Sequence, residues 1–426
     1  MPNERIGTCA QPGTDWVVSL SADVVTPMGV GSVIAPNTLV VPLEEVAPFV
    51  EIADRHFENK LLSFDLDLPG GLAIAENENN WGAGTQGYDA VRFWARGVFG
   101  TGVRVGIADS GIDVTHPTFA TMQANRRLKA FAAFGAEGKK LAQRTQNGAV
   151  VPDSETTPTF THWHGTFCAA ILVGDQTDGK LRGLAKQSEL VVAQVLQSAN
   201  NGTVASIFAG LTWLIDQNCD IISLSLGWDG KRDQWATPIQ ELLRRGVVVV
   251  CAAGNSFGAP GVPPSSSPGN YPLDPVNSTD GVLICVGAID EVGLVGDFSG
   301  GETIDWSGAR NVQPDGTQIP SVFATSPPRV VPTLVAPGVG VVSASPVTAT
   351  GQFRLESGTS MATPQVAGLI ALTLSAIRVS KPNATARNAA DLVLSSLVPL
   401  PGDSLVMRSG RGSVNIDPLL AAIDAF

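Results

Sequence analysis

The residues able to do chemistry in this chain are few, and their neighbours set them apart. Four histidines occur among 426 residues: His56, His116, His162 and His164. His164 opens the apolar, helix-like run HGTFCAAIL, with Gly165 and Thr166 leading into the helix. An imidazole in such a place is a candidate general base. His56 falls on an amphipathic stretch and reads as a solvated surface residue, and His116, in the turn THPTF, reads as a structural hydrogen-bonding residue. His162 and His164 form an i, i+2 pair, but with no cysteine or carboxylate ligand beside it the pair is a weak metal signal.

Three further residues fit the same chemistry. Asp109 closes the apolar run VRVGIAD and precedes Ser110 and Gly111. A carboxylate at the carboxyl edge of a sheet can accept a hydrogen bond from a histidine Nδ1, although the plainer reading is an Asp that begins a turn. Asn255 follows the run VVVVCAAG, where its amide could donate to a developing oxyanion or simply serve the turn after Gly254. Ser360 lies in LESGTSMATPQVAGLIAL, just before a helix made compact by Ala362, Ala367 and Gly368, with Pro364 expected in the first turn. A hydroxyl there sits where backbone N–H groups and the helix dipole favour negative charge, and an N-cap serine is the plainer reading. Carboxylate, imidazole, amide and hydroxyl together are the parts of nucleophilic acyl transfer.

The elements that must position these groups are legible from periodicity. Residues 103–109, 190–196, 220–227, 247–255 and 282–290 are apolar on both parities, as in strands buried on both faces of a parallel sheet. Helix-like stretches at 205–218 and 237–246 lie between them, the second ending in basic residues and Gly. The alternation predicts an α/β fold with a doubly wound, mostly parallel sheet, and a site beyond the carboxyl ends of its strands. Residues 1–80 read as a small N-terminal α+β appendage, with an amphipathic stretch at 43–62, and residues 81–426 as the main domain. The Pro/Gly/Ser cluster at 258–272 is too short to divide domains and reads as a surface loop.

Composition narrows the function classes. Hydrophobic residues make up 44% and charged residues 15%, with 46 glycines, which describes a compact protein rich in tight turns. A formal charge of −12, from 27 basic and 39 acidic residues, repels a phosphate backbone and argues against nucleic acid as a partner. No apolar run is expected to reach the roughly 18 residues of a membrane helix, and the start MPNERIGTCAQPG lacks a signal-peptide layout. The expectation is a cytoplasmic protein with no membrane partner. Five scattered cysteines, with Cys251 and Cys285 inside apolar runs, argue against a disulfide scaffold.

In the order Asp, His, Asn, Ser, the motifs ADSGID, HGTFCAAIL, AAGN and SGTSMATPQVAG resemble the subtilisin-like serine proteases (subtilases). Weaker agreements fill the chain from about residue 80 to 426, including GLAKQSELVVAQVL, NCDIISLSLG, VAPGVGVVSASP and GRGSVNIDPLLAA. The resemblance implies Ser360 as nucleophile, His164 as general base, Asp109 as the group orienting the imidazole, and Asn255 with the Ser360 N–H as oxyanion hole. It further implies that Ser225, Leu226 and Gly227 pair with an extended peptide or protein substrate, opposite a wall of Ala252, Ala253 and Gly254.

Departures from the family pattern sharpen the expectations. Phe167, Cys168 and Ala170 replace the usual His, Val and Gly of HGTHVAG, as packing changes. No cofactor is required, and where relatives carry an HPD calcium ligand this chain has His116, Pro117 and Thr118; calcium remains open only through Asp175 and Asp178. The small, uncharged walls favour an apolar side chain in the specificity pocket, with a floor expected near Gly269, Asn270 and Tyr271 and a loop acid, Asp274 or Asp280, as the rival for Lys or Arg. Residues 1–80 carry two readings, a removable prodomain or a permanent docking unit for a regulatory partner. The activity carries three: a serine endopeptidase, a macrocyclising transpeptidase of the same fold, or a silent peptide-binding module.

Overall fold

A computed structural model describes residues 4–8, 15–20, 32–35, 38–42, 80–141, 158–175, 180, 182–198, 201–273, 280–312, 317–348, 351–400 and 406–426. In the N-terminal region, β1 (Glu4–Thr8), β2 (Asp15–Leu20), β3 (Ser32–Ala35) and β4 (Thr38–Pro42) form an antiparallel sheet in the order β1-β2-β4-β3. The amphipathic stretch at 43–62, and His56 with it, lies outside the described residues.

The main domain is built on seven strands. They are β5 (Arg104–Asp109), β6 (Leu128–Ala133), β7 (Glu189–Gln194), β8 (Ile221–Leu224), β10 (Val248–Ala252), β12 (Leu283–Ile289) and β13 (Leu334–Pro337), with the short β9 (Trp228–Asp229) and β11 (Ser266–Ser267) pairing outside the sheet. The order is β13-β12-β10-β8-β5-β7-β6, and every neighbouring pair is parallel. The five apolar runs are all strands of this sheet. The edge strands β6 and β13 were not among them, because an edge strand carries less of the two-sided apolar signal.

The two parities of each strand feed two cores. Val105, Ile107, Val248, Val250, Ile284 and Val286 pack on one face with Val366, Leu369 and Ile370, which belong to α4 (Thr359–Ser380). Ile222, Leu224, Val249, Cys251 and Cys285 pack on the other with Ile207, Leu211, Ile239 and Leu242, from α2 (Val204–Ile215) and α3 (Ala236–Arg244). Cys168, Cys219, Cys251 and Cys285 are buried free thiols, and burial pushes that of Cys285 up to about 12. The expectation that no run is long enough to cross a membrane is corrected by α4, which has the length and composition for it. Its most apolar window is 94% buried inside the domain, so the apolarity serves the core.

Strand order places the site. From β5 the chain moves outward on one side through β6 and β7, then crosses to β8, β10, β12 and β13 on the other. The loops leaving β5 and β8 therefore part at their carboxyl ends, opening a crevice at this switch point. Asp109 ends β5, and residues 225–227 and 252–254 leave β8 and β10 on the same edge.

Candidate active site

Asp109 is held by its own turn: the Ser110 N–H donates to Asp109 Oδ1 at 2.6 Å. Gly111 has φ of +92°, and a Cβ there would meet the Thr159 carbonyl oxygen at 2.1 Å, so this turn needs glycine twice over. The close approach lets Ile112 donate to Thr159 O and Thr161 donate to Ser110 O. Those bonds deliver α1 (Trp163–Val173) to the strand end. Ser110 completes the junction, donating through Oγ to His162 O at 3.0 Å and accepting from the Gly165 N–H at 2.9 Å.

His164 is thereby buried against Asp109, with Nδ1 at 2.9 Å from Asp109 Oδ1. A carboxylate accepts, so the imidazole donates from Nδ1 and its acceptor nitrogen, Nε2, faces the other way. Cys168, one turn along α1, supports the ring with Sγ 3.8 Å from Nε2. Burial pushes this thiol up from its ordinary value, so it acts as a neutral packing group. Among the described residues, Asp109, His164 and Cys168 are the group with donor atoms close enough to share a metal, within 4.8 Å of one another. The imidazole–carboxylate hydrogen bond accounts for that closeness.

Gly165 permits the approach of α1 to β5, since a Cβ there would lie 2.1 Å from Gly111 O and 3.0 Å from Asp109 Oδ1. Gly165→Ala is expected to cost about 1–3 kcal/mol through overpacking and to push His164 off Asp109. A lower thermal midpoint together with slower labelling of the site serine is the expected pair of results; an unchanged midpoint would show that the helix absorbs the methyl.

Ser360 corrects the sequence expectation in detail. The helix begins at Thr359, with Gly358 as N-cap, so Ser360 is a buried residue of the first turn. Pro364 is inside the helix and beyond its first turn. Lacking an N–H, it leaves the Ser360 carbonyl without its i+4 helical donor. The Ser225 hydroxyl supplies one at 2.8 Å, with Cys168 Sγ at 3.6 Å. Ser360 Oγ in turn lies 3.3 Å from Ser225 O, so the helix start is tied to the end of β8 in both directions.

Asn255 is oriented by the same helix start. Its Oδ1 accepts from the Thr359 N–H at 2.9 Å and the Thr359 hydroxyl at 3.0 Å, which turns its NH2 group away from Thr359. The Gly254 N–H donates to Thr359 Oγ1 at 3.2 Å, bringing the loop after β10 to the same point.

The imidazole–carboxylate pair, the serine at the helix start and the fixed amide all lie within a stretch of the chain that matches a known family. The family model described as the subtilase family, peptidase S8, matches residues 100–410. The chain belongs to the subtilase family, the subtilisin-like serine peptidases. It is 30% identical over 320 residues to a cuticle-degrading serine protease of Arthrobotrys oligospora, covering 74% of this chain and 60% of that protein. It is 28% identical over 283 residues to subtilisin of Bacillus pumilus, covering 66% of this chain and 80% of that protein. The major intracellular serine protease of Bacillus subtilis is 28% identical over 285 residues, covering 66% and 72%.

The residues expected to wall the crevice of this subtilase carry no charge. Leu226, Ala252 and Ala253 are buried, and Gly254 has φ of +107°. The residues expected at the crevice floor are buried and bonded within the loops. Tyr271 is buried against Trp306 and Phe323 and donates from its hydroxyl to Arg232 O at 2.5 Å. The Asn270 amide donates to Gly230 O and to Ser265 Oγ, each at 3.0 Å, so it braces the loops. Asp280 precedes β12 and lies at the amino end of the sheet, on the edge opposite the crevice. Asp274 lies outside the described residues.

One acid was missed in the sequence. Asp229, on β9 two residues after Gly227, is buried and accepts from the hydroxyls of Ser256 at 3.0 Å and Ser266 at 2.6 Å. Its nearness to SLSLG was the available signal, but nothing local shows that the strand turns back toward Ser266.

His116 is structural, as read: its Nδ1 accepts from the Thr118 N–H at 3.2 Å and its Nε2 donates to Gln352 O at 2.7 Å. Of the residues weighed for calcium, Thr118 and Asp175 are among those described. Thr118 stands where the acid would be, and its hydroxyl donates to Asp175 O at 3.2 Å. The Asp175 carboxylate lies 3.9 Å from Arg127, and Asp178 is outside the described residues.

Proposed function

We propose that this subtilase is a serine endopeptidase in which Asp109, His164 and Ser360 act together on a peptide bond. The observation that carries the reading is the buried Asp109–His164 hydrogen bond of 2.9 Å on the crevice edge to which Ser225 also ties Ser360. Ser360 Oγ attacks the scissile carbonyl carbon as His164 Nε2 takes its proton, and Asp109 stabilises the imidazolium through Nδ1. The carbonyl oxygen becomes an oxyanion, which the Asn255 NH2 group and the Ser360 N–H receive. When the tetrahedral species collapses, the C–N bond breaks and His164 gives its proton to the leaving amine. Water then attacks the acyl-enzyme by the same route in reverse, releasing the acid. An extended peptide or protein chain is held between residues 225–227 and 252–254 by strand-like backbone pairing.

A fluorophosphonate should add to Ser360 in the wild type, read as a mass shift on its tryptic peptide, while defined peptides are cut at an internal bond. Absence of both would remove the reading. Asn255→Ala is expected to lower kcat by about 10²–10³, the range known for the equivalent amide of subtilisin, with KM little changed. An effect confined to KM would instead make Asn255 a pocket-shaping residue.

A further inference from the structure

The two walls of the crevice meet at a carboxylate. Past Gly227 the first wall runs directly into β9, and β9 pairs antiparallel with β11, with Asp229 opposite Ser266. The Ser266 N–H donates to Ala253 O at 3.0 Å, which fastens β11 to the second wall. β9 and β11 thus join the two walls and form a closure between them. The Asp229 carboxylate lies across that closure, taking one oxygen's hydrogen bond from Ser266 and the other's from Ser256, the residue after Asn255.

Its partners leave the charge in place. Both donors are neutral hydroxyls, and a carboxylate has acceptor capacity for about four hydrogen bonds. No ion pair within 4.0 Å involves Asp229 among the described residues. Two cations follow it in the chain, Lys231 and Arg232; the Arg232 guanidinium lies over the Trp228 ring, 4.7 Å from its centroid, and feels the Asp229 charge from beyond ion-pair distance. A second acid backs the same segment: Glu302 Oε1 accepts from the Ser265 hydroxyl at 2.5 Å. A buried negative charge that takes its hydrogen bonds from neutral hydroxyls, with no cation at ion-pair distance among the described residues, gains from a cation brought by a ligand.

We propose that Asp229 is a specificity-determining residue that selects Lys or Arg as the substrate side chain preceding the scissile bond. The side chain passes between the uncharged walls, which cover its methylenes, and its cationic end meets the carboxylate at the closure. This reverses the apolar preference expected from the walls alone, because the charge comes from a residue beyond both. The proposal rests on the endopeptidase reading above.

The test is the ratio of kcat/KM for matched peptides bearing Lys and Leu at that position, in wild type and in Asp229→Asn. The asparagine keeps size and one acceptor, so a role limited to bracing β9 against β11 would leave the ratio unmoved. The expected result is a wild-type preference for Lys and Arg that falls by about 10²–10³-fold in the variant. A measurement on wild type alone guards against a variant that does not fold: benzamidine should inhibit competitively, at least about tenfold more tightly than neutral benzamide. A wild-type preference for Leu, or benzamide matching benzamidine, overturns the selection by Asp229 while leaving the peptidase intact. No cleavage of any peptide, with no fluorophosphonate labelling, overturns the peptidase reading and this proposal with it.

Discussion

Ser360→Ala should leave a folded protein with no measurable peptidase activity, a loss of about 10⁶ in kcat, the size known for subtilisin itself. The hydroxyl is the only part removed. The hydroxyl lies 3.3 Å from Ser225 O, a long contact whose loss changes stability by about 1 kcal/mol or less. The carbonyl bond from Ser225 Oγ at 2.8 Å belongs to the backbone and survives the substitution. Thermal unfolding should therefore be nearly that of wild type while fluorophosphonate labelling disappears. A folded Ser360→Ala protein that still hydrolyses peptides at a wild-type rate would remove Ser360 from the chemistry.

The second large effect separates two histidines that lie two residues apart. His164→Ala should lose activity about as completely as Ser360→Ala, because members of such a unit fail together and their effects do not add. His162→Ala should keep most turnover. In the fold, His164 is buried with Nδ1 on Asp109, whereas His162 is the N-cap residue of α1, with its ring centroid 4.9 Å from that of Trp163. Only the first can both receive a proton from a serine and have its charge stabilised by Asp109. Measured kcat/KM for the two variants checks this; exchanged phenotypes would move the general base to His162.

Much of the site was legible residue by residue. Asp109 and Asn255 each end a run apolar on both parities, and such runs are the strands of a sheet covered on both faces. His164 precedes a run of small and apolar residues that becomes the buried helix α1. Local signals also produced the misplacement of Pro364. A proline after Thr363 is most often a helix-starting residue, and only the tertiary contact from Ser225 to the Ser360 carbonyl shows why one is tolerated beyond the first turn.

What the sequence by itself determined is therefore the set of chemical groups, the strands and helices that carry them, and the family to which their order belongs. These follow from periodicity and from short-range residue preferences, which act over a few neighbours. Which groups meet was decided by the tertiary structure. Asp109 and His164 are 55 residues apart, Ser225 and Ser360 are 135 apart, and Asp229 and Ser266 are 37 apart. Sheet order brings each pair together, through the switch from β7 to β8 across β5 and through the antiparallel return of β9 on β11. A strand's pattern records that both its faces are buried, not which strand lies beside it. For that reason the residues that leave β8 and β10 were readable in advance, and the meeting of Asp229 with Ser266 was not.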